Sequence, residues 1–124
     1  MVKLNELKDL VSSDLTNFCA WGEFFKNARK RDKITDESEI VADLLYEDDH
    51  FARYIVRIPP NTESNIHWHN CSERCKVLSG EMYDTIKERR LRVNEEIIYS
   101  RGERHRQYNP SLTDWCVMLV DFHR

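Results

Sequence analysis

Two histidines two positions apart, His67 and His69, and a glutamate four residues further on, Glu73, are the residues whose types and spacing could do chemistry. Neutral imidazole and ionised carboxylate are both good donors to borderline divalent metals, so the set suits Fe(II), Mn(II), Ni(II) or Zn(II). If the segment is extended, residues two apart leave the same face, and both imidazoles reach one site. A fourth donor must then come from elsewhere. After the apolar triplet Ile97-Ile98-Tyr99, Gly102 permits a turn and His105 opens the next expected strand, which makes it the well-placed candidate. His50, at an expected turn, and His123, at the end of the chain, are expected to face solvent.

The elements that must position these residues are short strands. From about Ile40 the chain alternates brief apolar runs with turn residues. Strands are expected at Ile40 to Tyr46, Phe51 to Ile58, Asn65 to His69, Arg74 to Ser79, Met82 to Ile86, Ile97 to Ser100, Arg104 to Tyr108 and Trp115 to Phe122. Glu47-Asp48-Asp49 reads as a turn, Pro59-Pro60 must end the second strand, and Lys87 to Arg92 reads as a charged hairpin end. About eight short strands predict an all-β sandwich or barrel of the jelly-roll type. Ahead of them, Leu4, Leu7, Leu10 and Val11 recur at helical spacing, which predicts a short amphipathic helix over Val2 to Val11. The stretch from Leu15 to Lys33 has no clean period; it leans to extended structure near Trp21 to Phe25 and to a solvated, charged turn at Arg29 to Lys33. The chain divides into an N-terminal helix and extension, residues 1–35, and a barrel domain, residues 36–124.

Composition narrows the class. With 124 residues the chain has material for one core. Its 19 basic and 22 acidic residues leave a net charge of -3, which draws it neither to nucleic acid nor to an anionic membrane. No apolar run is long enough to span a bilayer and charges interrupt the first residues, so a cytoplasmic protein is expected. Cys19, Cys71, Cys75 and Cys116 fit that compartment as thiols.

These spacings resemble the two motifs of the cupins, small jelly-roll barrels. The first motif, G-x5-H-x-H-x3-E-x6-G, is matched by Asn61, His67, His69, Glu73 and Gly80. The second, G-x5-P-x-G-x2-H-x3-N, is matched by Asn94, Ser100, Gly102, His105 and Asn109. The leading glycine of each motif is here asparagine, the non-glycine residue that best tolerates a left-handed backbone, and the proline is Ser100. The resemblance covers roughly Ile40 to Phe122. It implies that His67, His69, Glu73 and His105 hold one divalent metal ion (Fe, Mn, Ni or Zn) inside the barrel, with positions open to water, dioxygen or substrate.

The residues also allow a competing site. A closed structural zinc centre would join His67 and His69 to Cys71 and Cys75, but would leave Glu73, Gly80 and the second motif without a reason. Cys75 instead shares parity with Glu73 and is expected to line the pocket, with Val77 and Ser79 following along the same face. Gln107 shares a face with His105 and is the expected substrate-facing polar group. Tyr54, Arg53, Tyr83 and Trp115 are further candidates, and Arg53 and Arg57 would favour an anionic substrate if they faced inward. The reading favours a metal-dependent enzyme acting on a small molecule, dioxygenase-like first and isomerase or lyase next. The alternative is a non-catalytic binding or sensing module; an epimerase-like cupin fits less well. A homodimer is a further expectation, with Phe18 to Phe25 either exchanged between copies or packed on its own barrel.

Overall fold

The computed structural model describes residues 2–3, 29–30, 40–64 and 66–123. The expected helix beyond Lys3, the stretch Trp21 to Phe25, Cys19 and Asn65 lie outside the described residues. Val2–Lys3 forms a short strand, β1, and Arg29–Lys30 another, β2, where the sequence suggested helix and turn. The remaining strands are β3 (Val41–Glu47), β4 (Phe51–Ile58), β5 (Thr62–Glu63), β6 (Ser72–Ser79), β7 (Met82–Asp84), β8 (Arg89–Leu91), β9 (Glu96–Tyr99), β10 (Gln107–Asn109) and β11 (Cys116–His123). A six-stranded sheet runs β1-β3-β4-β11-β6-β9 and a five-stranded sheet β2-β5-β10-β7-β8, every pairing antiparallel. The all-β jelly roll is therefore present.

Alternation along the long central strands decides which side chains enter the core. In β4, Ala52, Tyr54, Val56 and Ile58 are buried while the residues between them are half-buried. β11 pairs with β4 along its whole length and sends Cys116, Met118, Val120 and Phe122 inward. Each fully buried valine, isoleucine, methionine or phenylalanine among them contributes roughly 1.5–3 kcal/mol. β4 ends at Ile58 because Pro59 and Pro60 follow. The outward positions carry charge: Arg53 donates two hydrogen bonds to Asp121, at 2.8 and 3.0 Å, Arg74 reaches the same carboxylate at 3.3 Å, and Arg57 pairs with Asp43. Arg53 and Arg57 therefore brace the outer face of the sheet and take no part in the interior.

Several boundaries differ from the sequence reading. The segment expected as a strand at Asn65 to His69 forms only an isolated bridge between His67 and His105. β5 was not expected, the strand begun at Met82 stops at Asp84, and the charged run Lys87 to Arg92 contains β8, which pairs with β7. Glu47 belongs to β3, and the turn after it is closed by Asp48, whose carboxylate accepts hydrogen bonds from the His50 and Phe51 amides. β6 bulges at Leu78, so that Val77 pairs with Met118 and Ser79 with Val117. That extra residue reverses the alternation, leaving Val77 buried and Ser79 exposed rather than pocket-lining.

The turns meet the expectation for left-handed residues. Asn61 and Asn94 have φ values of 52° and 70°, and Gly80 and Gly102 have 76° and 77°. At Gly80 a second constraint applies, because a Cβ there would lie 2.5 Å from the Trp115 carbonyl oxygen. The hairpin carrying β6 can approach the start of β11 only through glycine.

Candidate metal centre

The segment after β5 delivers the first two histidines without a strand. His67 donates its amide to the His105 carbonyl and receives the His105 amide, at 3.0 and 2.9 Å, which ties the loop to the stretch entering β10. Burial still alternates along the loop: His67 and His69 are buried, Trp68 is half-buried and Asn70 exposed. The parity expected of a strand survives where the ladder does not. Glu73 enters from β6, paired opposite Phe122 and Tyr99, and His105 from the loop between β9 and β10.

These four side chains converge inside the barrel. His67, His69 and His105 have ligand atoms within 4.8 Å of one another, all buried. Glu73 stands beside them, its Oε2 2.8 Å from Nε2 of His105 and 3.8 Å from Nε2 of His69. Cys71 and Cys75 are not part of the cluster, so the alternative zinc set is not assembled among the described residues.

The protonation pattern follows from the partners. A backbone carbonyl only accepts, so the 2.9 Å contact of His105 Nδ1 with the Glu103 oxygen puts a proton on Nδ1 and leaves Nε2 its lone pair in the neutral ring. That lone pair then faces a carboxylate oxygen at 2.8 Å, and neither atom has an aligned hydrogen-bond partner. Two lone pairs this close repel unless a cation stands with them, either a second proton on His105 or a metal ion. Burial would lower the His105 pKa, but the Glu73 carboxylate outweighs it and the net direction is up. Burial would likewise raise Glu73, yet His105 and His69 hold the carboxyl below the usual range. His69 is governed by burial, which pushes its imidazole down to about 4. A neutral His69 and an ionised Glu73 are the forms that bind metal, and proton and metal compete at His105. The donor set fits a borderline divalent ion.

The expected pocket residues are distributed unevenly. Cys75 and Gln107 meet across the two sheets, Gln107 Nε2 donating to Cys75 Sγ at 3.3 Å. Burial pushes the Cys75 thiol well up, with Glu73 adding to the effect, so it stays protonated. Tyr54 is inside but one ring removed from the cluster: it packs edge-on to Phe122 at 6.0 Å, and Phe122 lies edge-on to His69 at 5.0 Å. Tyr83 is half-buried between two inward neighbours, and Trp115 sits on a loop, 41% exposed. His50 and His123 are exposed, as expected.

Sequence reasoning missed Asp84, Tyr99, Glu103 and Lys87. Tyr99 stacks flat on His105, with centroids 3.8 Å apart and planes 9° apart, and donates its hydroxyl to Asp84 Oδ2 at 2.5 Å. Asp84 Oδ1 accepts the Ile86 and Lys87 amides at 2.8 and 2.7 Å. The available signal was an aspartate immediately before the turn at residues 85–88, a common local acceptor of amides two and three residues on. Burial is the first cause of a strong upward displacement of the Tyr99 hydroxyl pKa, and Cys75 and Asp84 reinforce it.

Comparison with known proteins adds the fold. No protein-family model and no curated protein sequence matches the chain. Solved structures do. The cupin domain of Schizosaccharomyces pombe Cnp3 is 16% identical with a TM-score of 0.64, over 68% of this chain and 60% of that one. The DMSP lyase DddQ from Ruegeria pomeroyi is 21% identical with a TM-score of 0.59, over 68% of this chain and 47% of the other. The polyketide cyclase RemF from Streptomyces resistomycificus is 22% identical with a TM-score of 0.62, over 68% and 65%. The chain thus spans less than two thirds of each of these proteins. With two antiparallel sheets closing on a buried histidine cluster, and with these structural likenesses, the chain has the jelly-roll fold seen in cupin domains.

Proposed function

We propose that His67, His69, His105 and Glu73 bind one divalent metal ion and that the protein is a metal-dependent enzyme acting on a small molecule. The observation that carries this reading is the burial of three imidazoles and a carboxylate together, with Glu73 Oε2 and His105 Nε2 lacking aligned hydrogen-bond partners. A bound ion would supply Lewis acidity and, if iron, dioxygen chemistry. The chain's own groups do the rest: Glu103 fixes the proton on His105 Nδ1, the apolar rings of Phe122 and Tyr54 exclude water, and Gln107 and Cys75 offer neutral polar contacts to substrate.

A dioxygenase-like oxidation is the preferred reaction class, because the other titratable groups around the cluster are already committed. Asp84 accepts three hydrogen bonds, Tyr99 donates to it, and Cys75 is held protonated. A reaction needing a separate side-chain base would have to recruit one of the four metal-facing residues. A second reading, non-redox lyase or cyclase chemistry, draws support from the lyase and cyclase among the similarly folded proteins. Oxygen uptake by the Fe(II)-loaded protein over a panel of thiols, phenols and keto acids tests the choice. Uptake with at least one of them is expected. Turnover without oxygen consumption would move the reading to the second class, and tight metal binding with no turnover would leave a binding or sensing module.

A further inference from the structure

His105 is held by more than its backbone bridge to His67. Its ring is contacted on one face by Tyr99 and at Nδ1 by the Glu103 carbonyl, so both its translation and its rotation about the Cβ–Cγ bond are restrained. Each of those partners is itself held. Tyr99 is anchored by its hydroxyl to Asp84, and Glu103 is anchored by its carboxylate, which accepts the Ser100 amide at 2.9 Å and pairs with Lys87 Nζ at 2.6 Å. The circuit closes because the Lys87 amide donates to Asp84, and Lys87 Nζ also lies 5.3 Å from the centre of the Tyr99 ring. Asp84, Tyr99, His105, Glu103 and Lys87 come from β7, β9 and two turns, so the circuit links both sheets.

We propose that this circuit is a clamp in which Tyr99 and Glu103, locked by Asp84 and Lys87, position His105 so that Nε2 points at Glu73 and the metal site. The clamp rests on the proposed metal site and extends it: Tyr99, Asp84, Glu103 and Lys87 are positioning residues that touch neither metal nor substrate. A free imidazole can present either nitrogen and rotate between them; the stacked ring and the carbonyl remove that freedom before any metal arrives. Partners that orient a ligating histidine in this way typically change metal affinity by about 10- to 100-fold when lost.

The test uses Co(II) as the probe, read both by titration and by its visible spectrum, together with proton NMR of the metal-free protein. The structure predicts a downfield His105 Nδ1–H signal protected from solvent, absent in His105→Ala. Tyr99→Leu, which removes the flat ring, is expected to bind Co(II) about tenfold more weakly, with an altered spectrum and a broadened Nδ1–H signal. Tyr99→Phe keeps the stack and should recover most of that loss. Lys87→Ala, at an exposed position, should weaken binding by about twofold and speed exchange of the same proton. It also serves if Tyr99→Leu does not fold. The clamp is overturned if these variants bind Co(II) with unchanged affinity and spectrum while His105→Ala does not. If His105→Ala binds as tightly as the unaltered protein, the metal reading fails instead. The Nδ1–H signal then judges the clamp alone: loss in Tyr99→Leu and Lys87→Ala upholds it, and persistence in both overturns it.

Discussion

Adding a divalent ion to chelator-stripped protein should raise its melting temperature, and the size of the rise can be worked out. A ligand at a hundred times its dissociation constant stabilises the folded state by about 2.7 kcal/mol. For a chain of 124 residues, unfolding entropy at roughly 2.1 cal/mol/K per residue comes to about 260 cal/mol/K, so the shift is about 10 °C. His105→Ala tests whether the ion sits where the geometry puts it. That histidine's Nε2 lies 2.8 Å from Glu73 Oε2 and its ring is buried, so the substitution removes a donor and leaves the carboxylate facing a cavity. A hundredfold loss of affinity at the same metal concentration would reduce the stabilisation to about 0.4 kcal/mol, a shift of about 1.5 °C. Scanning calorimetry of both proteins, with and without Mn(II), Fe(II), Ni(II) or Zn(II), is the measurement. Equal shifts in the two proteins, or none in the unaltered one, would refute the assignment.

Two further outcomes follow from the same geometry. The metal-free protein should lose stability between pH 6.5 and about 4, because the unfolded chain protonates His69 at its ordinary 6.5 while burial holds the folded value near 4; the full difference is about 3 kcal/mol. His105 works in the opposite sense, since its folded pKa is raised: its contribution is complete below the unfolded value and fades as pH rises through the folded one. Urea titrations from pH 6.5 to 5 should therefore show a flatter acid slope for His69→Gln, and an unchanged slope would sink the account. Separately, Gly80→Ala should cost the left-handed penalty of roughly 1–2 kcal/mol plus displacement of the Trp115 carbonyl, whereas Gly102→Ala, with nothing near its added Cβ, should cost only the former. Equal urea midpoints for the two variants would argue against the close approach at Gly80.

Much of the site was legible because its information is local. The spacing of His67, His69 and Glu73 needs only an extended chain, and alternating burial along residues 66–71 delivers it even though the ladder expected there is reduced to one bridge. Asparagine in place of glycine at Asn61 and Asn94 signalled positive φ, which both residues adopt. Ser79 was misplaced because a bulge at Leu78 reverses parity, and a bulge is set by the register of β6 against β11 rather than by the residues of β6 alone. β8 was missed because a charged run becomes a strand only when β7 is there to pair with it.

The sequence by itself determined the all-β class, the candidate donor residues and the left-handed turns at Asn61, Gly80, Asn94 and Gly102, though not the one at Glu88, since each depends on side-chain chemistry and short-range sterics. Tertiary structure decided what those donors meet. That Glu73 stands against His105, that Arg53 is spent on Asp121 outside the barrel, and that Tyr99 stacks on His105 while anchored to Asp84 all require contacts between strands far apart in the chain. Such contacts are fixed by strand order, register and burial, which no local pattern encodes.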